Sequence, residues 1–325
     1  MRQYTLYRLH ATGHFEAVAS DALLEETGCC AAIGFFDGVH LGHRFLIDQL
    51  RAEAARRGAK SVAVTFEEHP RLALSGAHYW PELLTPNDEK LRLLALAGAD
   101  YCAMLHFDHA MSMLTSAEFM EQVLRNGLGV QCLMVGYDHR FGSDLSSGFA
   151  TYVRQGKDLG IEVLRLRPYD VGELRVSSSA VRRFLAAGNV ETARLCLGRP
   201  YLLEGEVVQG RHAGTLMGYP TANLQPLCAE QIVPGRGVYA VRAEVDGFTY
   251  MAMLNIGWRP TMDNGDDQTV EAHLLDYDGG DLYGKRVKVY FYQRVRDERR
   301  FASVQDLQAQ LAVDADTVRD ILSNV

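Results

Sequence analysis

The sequence contains no CxxC pair, although it has six cysteines in 325 residues. This absence argues against a zinc knuckle and against a thioredoxin-type redox site. The cysteines are scattered along the chain, at Cys29, Cys30, Cys102, Cys132, Cys196 and Cys228. We expect each of them to be a small buried hydrophobic residue in a reduced protein.

Long apolar runs and an excess of positive charge are also missing. No run approaches the ~20 apolar residues that cross a bilayer, and the amino-terminus has no apolar stretch of signal-peptide length. The net charge is −8, so no global basic field gathers nucleic acid, and phosphate-bearing ligands need local binding groups. We expect a cytoplasmic monomer or weak homo-oligomer that binds small molecules, with neither nucleic acid nor a membrane as partner.

The pattern of apolar residues divides the chain into two halves. In the first half, strand-like runs such as CCAAIGFF and KSVAVTF alternate with helical spacing, which predicts a parallel sheet covered by helices. After about residue 200, strand-like runs follow one another with no long helix between them, which predicts a small antiparallel barrel. We place the boundary near residues 184–191, giving domains of 1–187 and 188–325.

Local signals predict where several elements begin and end. Gly58 should end the first helix in the left-handed conformation, and the Thr85 hydroxyl should cap the next helix. Thr115–Glu118 has the pattern of a capping box, and Asp246-Gly247 that of a two-residue hairpin turn. A last helix should start at Ser303 and bury one side, formed by Val304, Leu307, Leu311, Val318, Ile321 and Leu322.

The run GFFDGVHLGH, residues 34–43, places two histidines, a carboxylate and three glycines where a strand should give way to a helix. Ligands of parallel sheets bind beyond the carboxyl ends of strands, and a helix amino-terminus offers free N–H donors to phosphate. His40 and His43 can donate hydrogen bonds to phosphoryl oxygens, and glycines let the backbone approach closely. Simple packing of the two rings is one alternative. A zinc site is another, but it needs further ligands at metal spacing.

Four segments in order resemble the bacterial FAD synthetases of the HxGH nucleotidyltransferase superfamily: Gly34–His43, Thr65–Pro70, Val135–Gly142 and Val176–Arg183. The resemblance implies a Rossmann-like domain that adenylylates FMN, with His40 and His43 acting where the α-phosphorus of ATP is attacked. It implies contacts to ATP or its phosphates from Gly34, Phe36, Asp37, Gly38, Gly42, Asp138, Ser178, Ser179 and Arg182, and a flavin contact from His69. Asp138 fits a loop surface equally well.

Adenylyl transfer fits these residue types, because it needs in-line placement and charge neutralisation but no covalent nucleophile. The planar fork of Arg182 can clamp two phosphate oxygens.

Two positions depart from the family. Glu68 replaces the usual proline and adds negative charge near the flavin phosphate, and Ser179 replaces the commoner threonine while keeping the hydroxyl.

Two runs in the second half contain groups that could meet phosphate. The run GGDLYGKR, residues 279–286, matches GxxxxGK, but Arg286 stands where a P-loop needs Ser or Thr, and a strand pattern follows. We therefore interpret it as a turn. In GTLMGYPTANL, Thr221 and Asn223 bring two oxygen-bearing side chains to one face of an extended segment. Magnesium prefers such oxygen ligands, and the alternative is that both are ordinary turn residues.

Five ordered segments resemble the riboflavin kinase module: Gly205–Leu224, Gly237–Val241, Asn255–Thr261, Val270–Tyr277 and Asp281–Lys285. The resemblance implies a six-stranded antiparallel Greek-key barrel with a terminal helix, Thr221 and Asn223 as ligands of Mg²⁺–ATP, and Glu271 as the base for the ribityl 5′-hydroxyl. It also implies phosphate contacts from Gly210, Gly214, Gly218 and Pro220, and flavin contacts from Asn255 and Arg259. Thr215 departs from the family, which often has arginine there.

Together the segments resemble the bacterial bifunctional riboflavin kinase/FAD synthetases over nearly the whole chain. The implied activities are phosphorylation of riboflavin with Mg²⁺–ATP and adenylylation of FMN to FAD, with flavins as substrates and products. Two alternatives stay open: a chain with only one active module, and a flavin- or nucleotide-sensing protein without turnover. A cytidylyl- or pantetheine-type transferase would share the first motif but would lack the barrel.

Overall fold

The chain is described by a computed structural model, which divides it into two compact units, Met1–Val176 and Ser177–Val325. The structure describes residues 4–23, 28–68, 82–136, 140–144, 148–166, 169–171, 174–209, 221–260 and 266–325. Within these ranges no helix is long and apolar enough to cross a membrane. The boundary between functional domains, expected after residue 187, stays a prediction.

One sheet organises the first unit. Its strands are β1 (Tyr4–Leu9), β2 (Phe15–Val18), β3 (Cys29–Ile33), β4 (Lys60–Phe66), β5 (Tyr101–Leu105), β6 (Val130–Val135) and β7 (Glu162–Arg165). Their spatial order is β2-β1-β5-β4-β3-β6-β7. The five neighbouring strands β5, β4, β3, β6 and β7 pair in parallel. The parallel sheet predicted from strand–helix alternation is confirmed. The antiparallel hairpin β1–β2 on one edge was not expected. A short pair, β8 (Asp170–Val171) with β9 (Leu174–Arg175), follows β7.

Helices connect these strands. They are α1 (Leu41–Arg57), α2 (Asn87–Leu96), α3 (His109–Met113), α4 (Ser116–Phe119), which continues as a π-helical segment (Met120–Gly127), and α5 (Phe149–Leu159). Gly58 ends α1 with a φ of 65°, and Thr115 with Glu118 forms the capping box at the start of α4, so both predictions are confirmed. Apolar clusters pack on the two faces of the sheet.

The cysteines behave largely as the sequence indicates. All six are free, and five of them are buried, whereas Cys228 is half-buried. Cys29, Cys30, Cys102 and Cys132 lie on the central strands β3, β5 and β6, where small side chains let helices pack closely on the sheet. Burial raises the pKa of the Cys29 and Cys102 thiols to about 12, so both are protonated at neutral pH.

A closed barrel forms the second unit, after helices α6 (Ser178–Ala186) and α7 (Val190–Leu197). Its strands are β10 (Tyr201–Val208), β11 (Ala222–Pro226), β12 (Gly237–Val245), β13 (Phe248–Pro260), β14 (Asp266–Leu274) and β15 (Arg286–Arg296). They close in the order β10-β11-β14-β13-β12-β15, with every pairing antiparallel. Helix α8 (Val304–Ser323) follows the barrel, so the predicted barrel with a terminal helix is confirmed.

Two turns of the barrel unit also match their sequence signals. Asp246 and Gly247 both have positive φ, 52° and 82°, and join β12 to β13 at the pair Val245 and Phe248. The run 279–286 forms a turn that leads directly into β15, so the P-loop interpretation was rightly rejected. Lys285, the lysine of the false motif, pairs with Asp246 at 2.7 Å.

Helix α8 begins where the sequence predicts, because the Ser303 hydroxyl accepts a hydrogen bond from Asp306 N. Its buried side differs from the prediction at the first turn. Val304 is 56% exposed, because the helix packs against the barrel through its second half. There Val318 and Leu322 are buried as expected.

A charged residue is also buried on α8. Asp314 is 1% exposed and forms a bidentate pair with Arg296 at the end of β15, with distances of 2.7–3.0 Å. Gln310 donates to the same carboxylate at 2.6 Å. This pair links the helix to the last strand.

We predict that Asp314→Asn lowers the free energy of unfolding of the barrel unit by about 3 kcal/mol, because Arg296 would lose its charge partner in a buried setting. Urea unfolding of the full chain, followed by circular dichroism, measures the change. Asp316→Ala is the matched control, since Asp316 lies on the same helix with its side chain 81% exposed, and should change stability by less than about 0.5 kcal/mol. Equal effects of the two substitutions would contradict the prediction.

Candidate active sites

The loop between β3 and α1 has a strained backbone. Phe36 and Val39 have φ angles of 52° and 34°, and Gly38 lies between them at 81°. Left-handed backbone is unfavourable for side chains larger than glycine, and such strain concentrates at functional sites. Phe36 and Val39 are each 1% exposed, so the packing of their side chains holds this conformation.

Asp37 fixes the same loop from inside the protein. Its carboxylate is 2% exposed and accepts hydrogen bonds from Leu84 N at 3.0 Å and Thr85 N at 3.1 Å. The Thr85 hydroxyl lies 3.3 Å from Asp37 Oδ1 and accepts from Gly38 N at 3.0 Å. The expectation that Thr85 caps α2 was wrong. That helix begins at Asn87 after Pro86, without a side-chain cap, and the Thr85 hydroxyl binds the loop instead.

His40 and His43 come together at the start of α1. His40 is the N-cap residue, and its Nδ1 accepts a hydrogen bond from His43 N at 3.3 Å. The acceptor role of Nδ1 leaves the proton of a neutral His40 on Nε2, which can donate to a ligand oxygen. The two rings stack with centroids 3.6 Å apart, and Phe36 meets His43 edge-on at 5.2 Å.

The glycines of this loop make room for the rings. A Cβ atom at Gly42 would lie 3.1 Å from the His40 ring, and one at Gly34 would lie 3.2 Å from the Phe36 ring. Both contacts are tighter than ordinary packing. From the sequence we expected these glycines to let a ligand approach the backbone closely. In the structure, the lack of a side chain at Gly42 and Gly34 makes room for the His40 and Phe36 rings.

The fourth segment that resembles the FAD synthetases, Val176–Arg183, lies largely on another helix. Ser177 caps α6 by accepting from Ala180 N at 3.2 Å. Ser178 and Arg182 follow four positions apart on this helix, both half-buried, and Ser179 is exposed. They belong to the second unit by their contacts, so their approach to His40 and His43 stays a prediction.

Some proposed site residues fall outside the described residues: His69, Asp138, Gly210, Gly214, Gly218 and Pro220.

In the barrel, strand register aligns three polar residues. Glu271 on β14 stands opposite Asn223 on β11 and opposite Asn255 on β13. Directly opposed residues of antiparallel strands place their Cβ atoms about 4.5–5.5 Å apart on one face. The three side chains therefore form a row across neighbouring strands, with Glu271 in the centre. Arg259 lies on β13, and its side chain is outside the described residues.

Two cavities meet near this row. The larger has a volume of about 800 Å³, and its lining includes Asp276, Tyr277 and Arg319. The smaller has a volume of about 290 Å³, and its lining includes Asn255 and Glu271. Thr221 and His273 line both cavities and so lie on the wall between them.

Sequence reasoning missed part of this lining. His273 received no role from the sequence, although the period of two along β14 places it on the same face as Glu271. Arg296, the last residue of β15, and Phe301, beyond that strand, line the smaller cavity together with Leu307 and Leu311 of α8. No local signal marks these four residues as site residues, because the closure of the barrel and the packing of α8 bring them there.

Metal binding by protein side chains alone has little support in the described ranges, where no group of three or more His, Cys, Asp or Glu residues could hold a metal ion. The zinc alternative for His40 and His43 gains no support in the part of the chain that the structure describes.

Comparison with known proteins identifies both halves. Residues 23–180 match the family model described as FAD synthetase, and residues 197–322 match that described as riboflavin kinase. The chain is thus a transferase built from a nucleotidyltransferase module and a kinase module.

Curated relatives match along nearly their whole length. A bifunctional riboflavin kinase/FMN adenylyltransferase of Escherichia coli is 40% identical over 298 residues, covering 91% of this chain and 93% of that protein. The enzyme of the same name from Pseudomonas fluorescens is 38% identical over 304 residues, covering 91% and 93%. The crystal structure of a macrolide-efflux protein from Streptococcus pneumoniae aligns with a TM-score of 0.82 at 31% identity, covering 90% of this chain and 94% of that one. The chain belongs to the family of bifunctional riboflavin kinase/FMN adenylyltransferases.

The contact between Thr85 and the strained loop leads to a testable prediction. Thr85→Val should lower the free energy of unfolding of the first unit by about 1–3 kcal/mol, because it removes the hydroxyl between Asp37 and Gly38 N. Thr85→Ser keeps the hydroxyl and is the control, with a loss below about 1 kcal/mol. Chemical denaturation of both variants tests this, and a valine variant as stable as the serine variant would contradict it.

Proposed function

We propose that this chain phosphorylates riboflavin to FMN with Mg²⁺–ATP in its barrel unit and adenylylates FMN to FAD through the β3–α1 loop. The observation that carries the proposal is the row of Asn223, Glu271 and Asn255 beside two adjoining cavities. Family membership names the two activities, and two cavities beside one row of polar side chains support separate places for a phosphate donor and an acceptor.

In the kinase reaction, the larger cavity suits the nucleotide and the smaller one the flavin. The smaller cavity has Phe301, Leu307 and Leu311 in its lining, which fits a flat aromatic ring system. Glu271 also lines the smaller cavity. It would accept the proton of the ribityl 5′-hydroxyl as that oxygen attacks the γ-phosphorus. His273 and Thr221, which line both cavities, lie where the two substrates would meet.

Magnesium fits the residues that are present. Thr221 offers a hydroxyl oxygen and Asn223 an amide oxygen, and both are half-buried at the start of β11. Neutral oxygen ligands suit a hard cation that also binds phosphate oxygens. Bound there, the ion would neutralise part of the charge on the triphosphate.

In the adenylyl transfer, the start of α1 would bind the phosphates of ATP. Its first N–H groups, the positive end of the helix and His40 Nε2 favour negative charge. His43 would stabilise the charge that develops as the FMN phosphate attacks the α-phosphorus and pyrophosphate leaves. Ser178, Ser179 and Arg182 would complete this site.

Loss of the second histidine should separate the two reactions. In His43→Ala, riboflavin should still be converted to FMN, whereas FAD formation should fall by about 10²-fold or more, since a group that stabilises developing charge is lost. Chromatographic separation of flavins after incubation with riboflavin, ATP and magnesium measures both. His109→Ala, which removes an exposed histidine of α3, is the control and should form FAD at the parent rate. Normal FAD formation by the His43 variant would reject its role.

Loss of the base should have the opposite effect. Glu271→Gln should slow riboflavin phosphorylation by about 10²–10⁴-fold, while supplied FMN is still converted to FAD. Glu206→Gln, on the exposed side of β10, is the matched control and should leave both rates unchanged. A Glu271 variant that phosphorylates riboflavin at the parent rate would disprove the assignment of the base.

The match of both halves to bifunctional relatives does not favour the two alternatives, and these experiments also address them. A chain with one active module would form FMN without FAD, or FAD only from added FMN, in the parent protein. A sensor would bind flavin without producing either. The effects of Glu68 and Thr215, the cytoplasmic location, the oligomeric state and the absence of nucleic-acid partners stay predictions.

A further inference from the structure

A lysine ammonium is buried beneath the first site. Lys90 lies on α2, and its side chain is 1% exposed. Its Nζ donates to Phe66 O at 2.9 Å and lies 4.5 Å from the centroid of the Phe35 ring. Burying an ammonium group without a directly bonded carboxylate is costly, so packing alone does not explain a lysine at this position.

Three hydrogen bonds, one of them from Lys90, fix the ends of β3 and β4. Asn87, one helical turn before Lys90, donates to Glu67 O at 3.0 Å, so α2 binds two successive carbonyl groups at the end of β4. Thr65 Oγ1 donates to Phe35 O at 2.9 Å and connects β4 to the loop after β3. Lys90 therefore contacts both segments at the carboxyl edge of the sheet.

Three titratable groups face this ammonium from different elements. Asp37 in the loop after β3 and Glu67 after β4 favour the charged form, whereas Cys102 on β5 is a neutral thiol because burial raises its pKa to about 12. Desolvation outweighs the attraction of the carboxylates and lowers the pKa of Lys90 to about 8. The side chain therefore changes charge within a pH range that an enzyme assay can reach.

We propose that Lys90 is a positioning residue for adenylyl transfer, whose ammonium holds the loop after β3 against the end of β4 so that the loop at Phe35–Gly38 aligns the phosphate substrates. The inference rests on the proposed function of this unit. Lys90 acts through Phe35 and Phe66, because an ammonium that is 1% exposed is not open to a bound substrate. In-line transfer is sensitive to such placement, since a shift of about 1 Å can cost about 10²-fold in rate.

The charge of Lys90 gives this role a pH signature. The ammonium is present below about pH 8 and is lost above it, so kcat/KM for FMN should be highest below pH 8 and fall on the alkaline side. The substrate phosphates do not produce this fall, because their last ionisation lies near pH ~6. Riboflavin phosphorylation by the same preparation should lack it.

The test compares the full-length parent with Lys90→Met and Lys90→Arg between pH 6.5 and 9.5, following FMN to FAD and riboflavin to FMN separately. The methionine variant should lose about 10- to 100-fold in adenylyl transfer at pH 7 and show no alkaline fall. The arginine variant keeps the charge throughout, so it should retain more activity than methionine and also lack the fall. Lys157→Met, which removes an exposed lysine on α5, is the matched control and should behave as the parent.

Stability separates positioning from a merely structural role. The pKa of Lys90 is lower in the folded chain than in the unfolded one, so between about pH 8 and 10.5 the unfolded chain binds more protons and stability rises with pH. The buried charge thus opposes folding at pH 7, and the methionine variant should melt no lower than the parent. Parent-like adenylyl transfer and pH profile in that variant would overturn the proposal. So would an equal loss of both activities with a lowered melting temperature.

Two further outcomes are distinguishable. If the arginine variant does not fold, the parent profile and the methionine variant decide the question. If the parent forms no FAD from FMN at any pH, the proposed function of this unit fails before the role of Lys90 is tested.

Discussion

The first site depends on one nearly buried carboxylate. Asp37 accepts hydrogen bonds from the backbone of Leu84 and Thr85, about 47 residues further along the chain, and so ties the β3–α1 loop to the segment before α2. This attachment and the packing of the buried Phe36 and Val39 side chains together hold the left-handed backbone of the loop. Helix α1 starts directly after the loop, so the positions of His40 and His43 follow from the same contact.

In the barrel, strand register instead of a strained loop fixes the positions of the polar side chains. Its polar row is set by strand register, in which every backbone pair along β11, β13 and β14 helps to keep Glu271 between Asn223 and Asn255. A slip of one residue would turn Glu271 to the other face of the strand. The first unit thus fixes its chemical groups through a strained loop and one carboxylate, whereas the second distributes the same task over many ladder hydrogen bonds.

Much of the architecture could be predicted from short-range patterns. Strand–helix alternation, the left-handed Gly58, the capping box at Thr115 and the Asp246-Gly247 turn all depend on residues a few positions apart, and the structure confirms them. The placement of His40 at the start of a helix belongs to the same class. These signals reflect local conformational preferences, which tertiary packing here reinforces.

Contacts between distant residues could not be predicted in this way. The Thr85 hydroxyl resembles a helix cap in sequence, yet it binds a loop far back in the chain. No local sequence signal marks Lys90 as buried, and its burial follows from the packing of α2 on the sheet. The wall between the two barrel cavities at Thr221 and His273 requires closure of the barrel, which no single strand encodes.

Helix α6 has a consequence for how the chain can be divided. By its contacts it belongs with the barrel, in the unit that starts at Ser177, whereas the FAD synthetase model extends to residue 180. An expression fragment that stops at Val176 would keep His40 and His43 but discard Ser178, Ser179 and Arg182. The boundary by contacts and the end of the family match therefore do not coincide, so a fragment cut at the most compact point would not contain the whole FAD synthetase match.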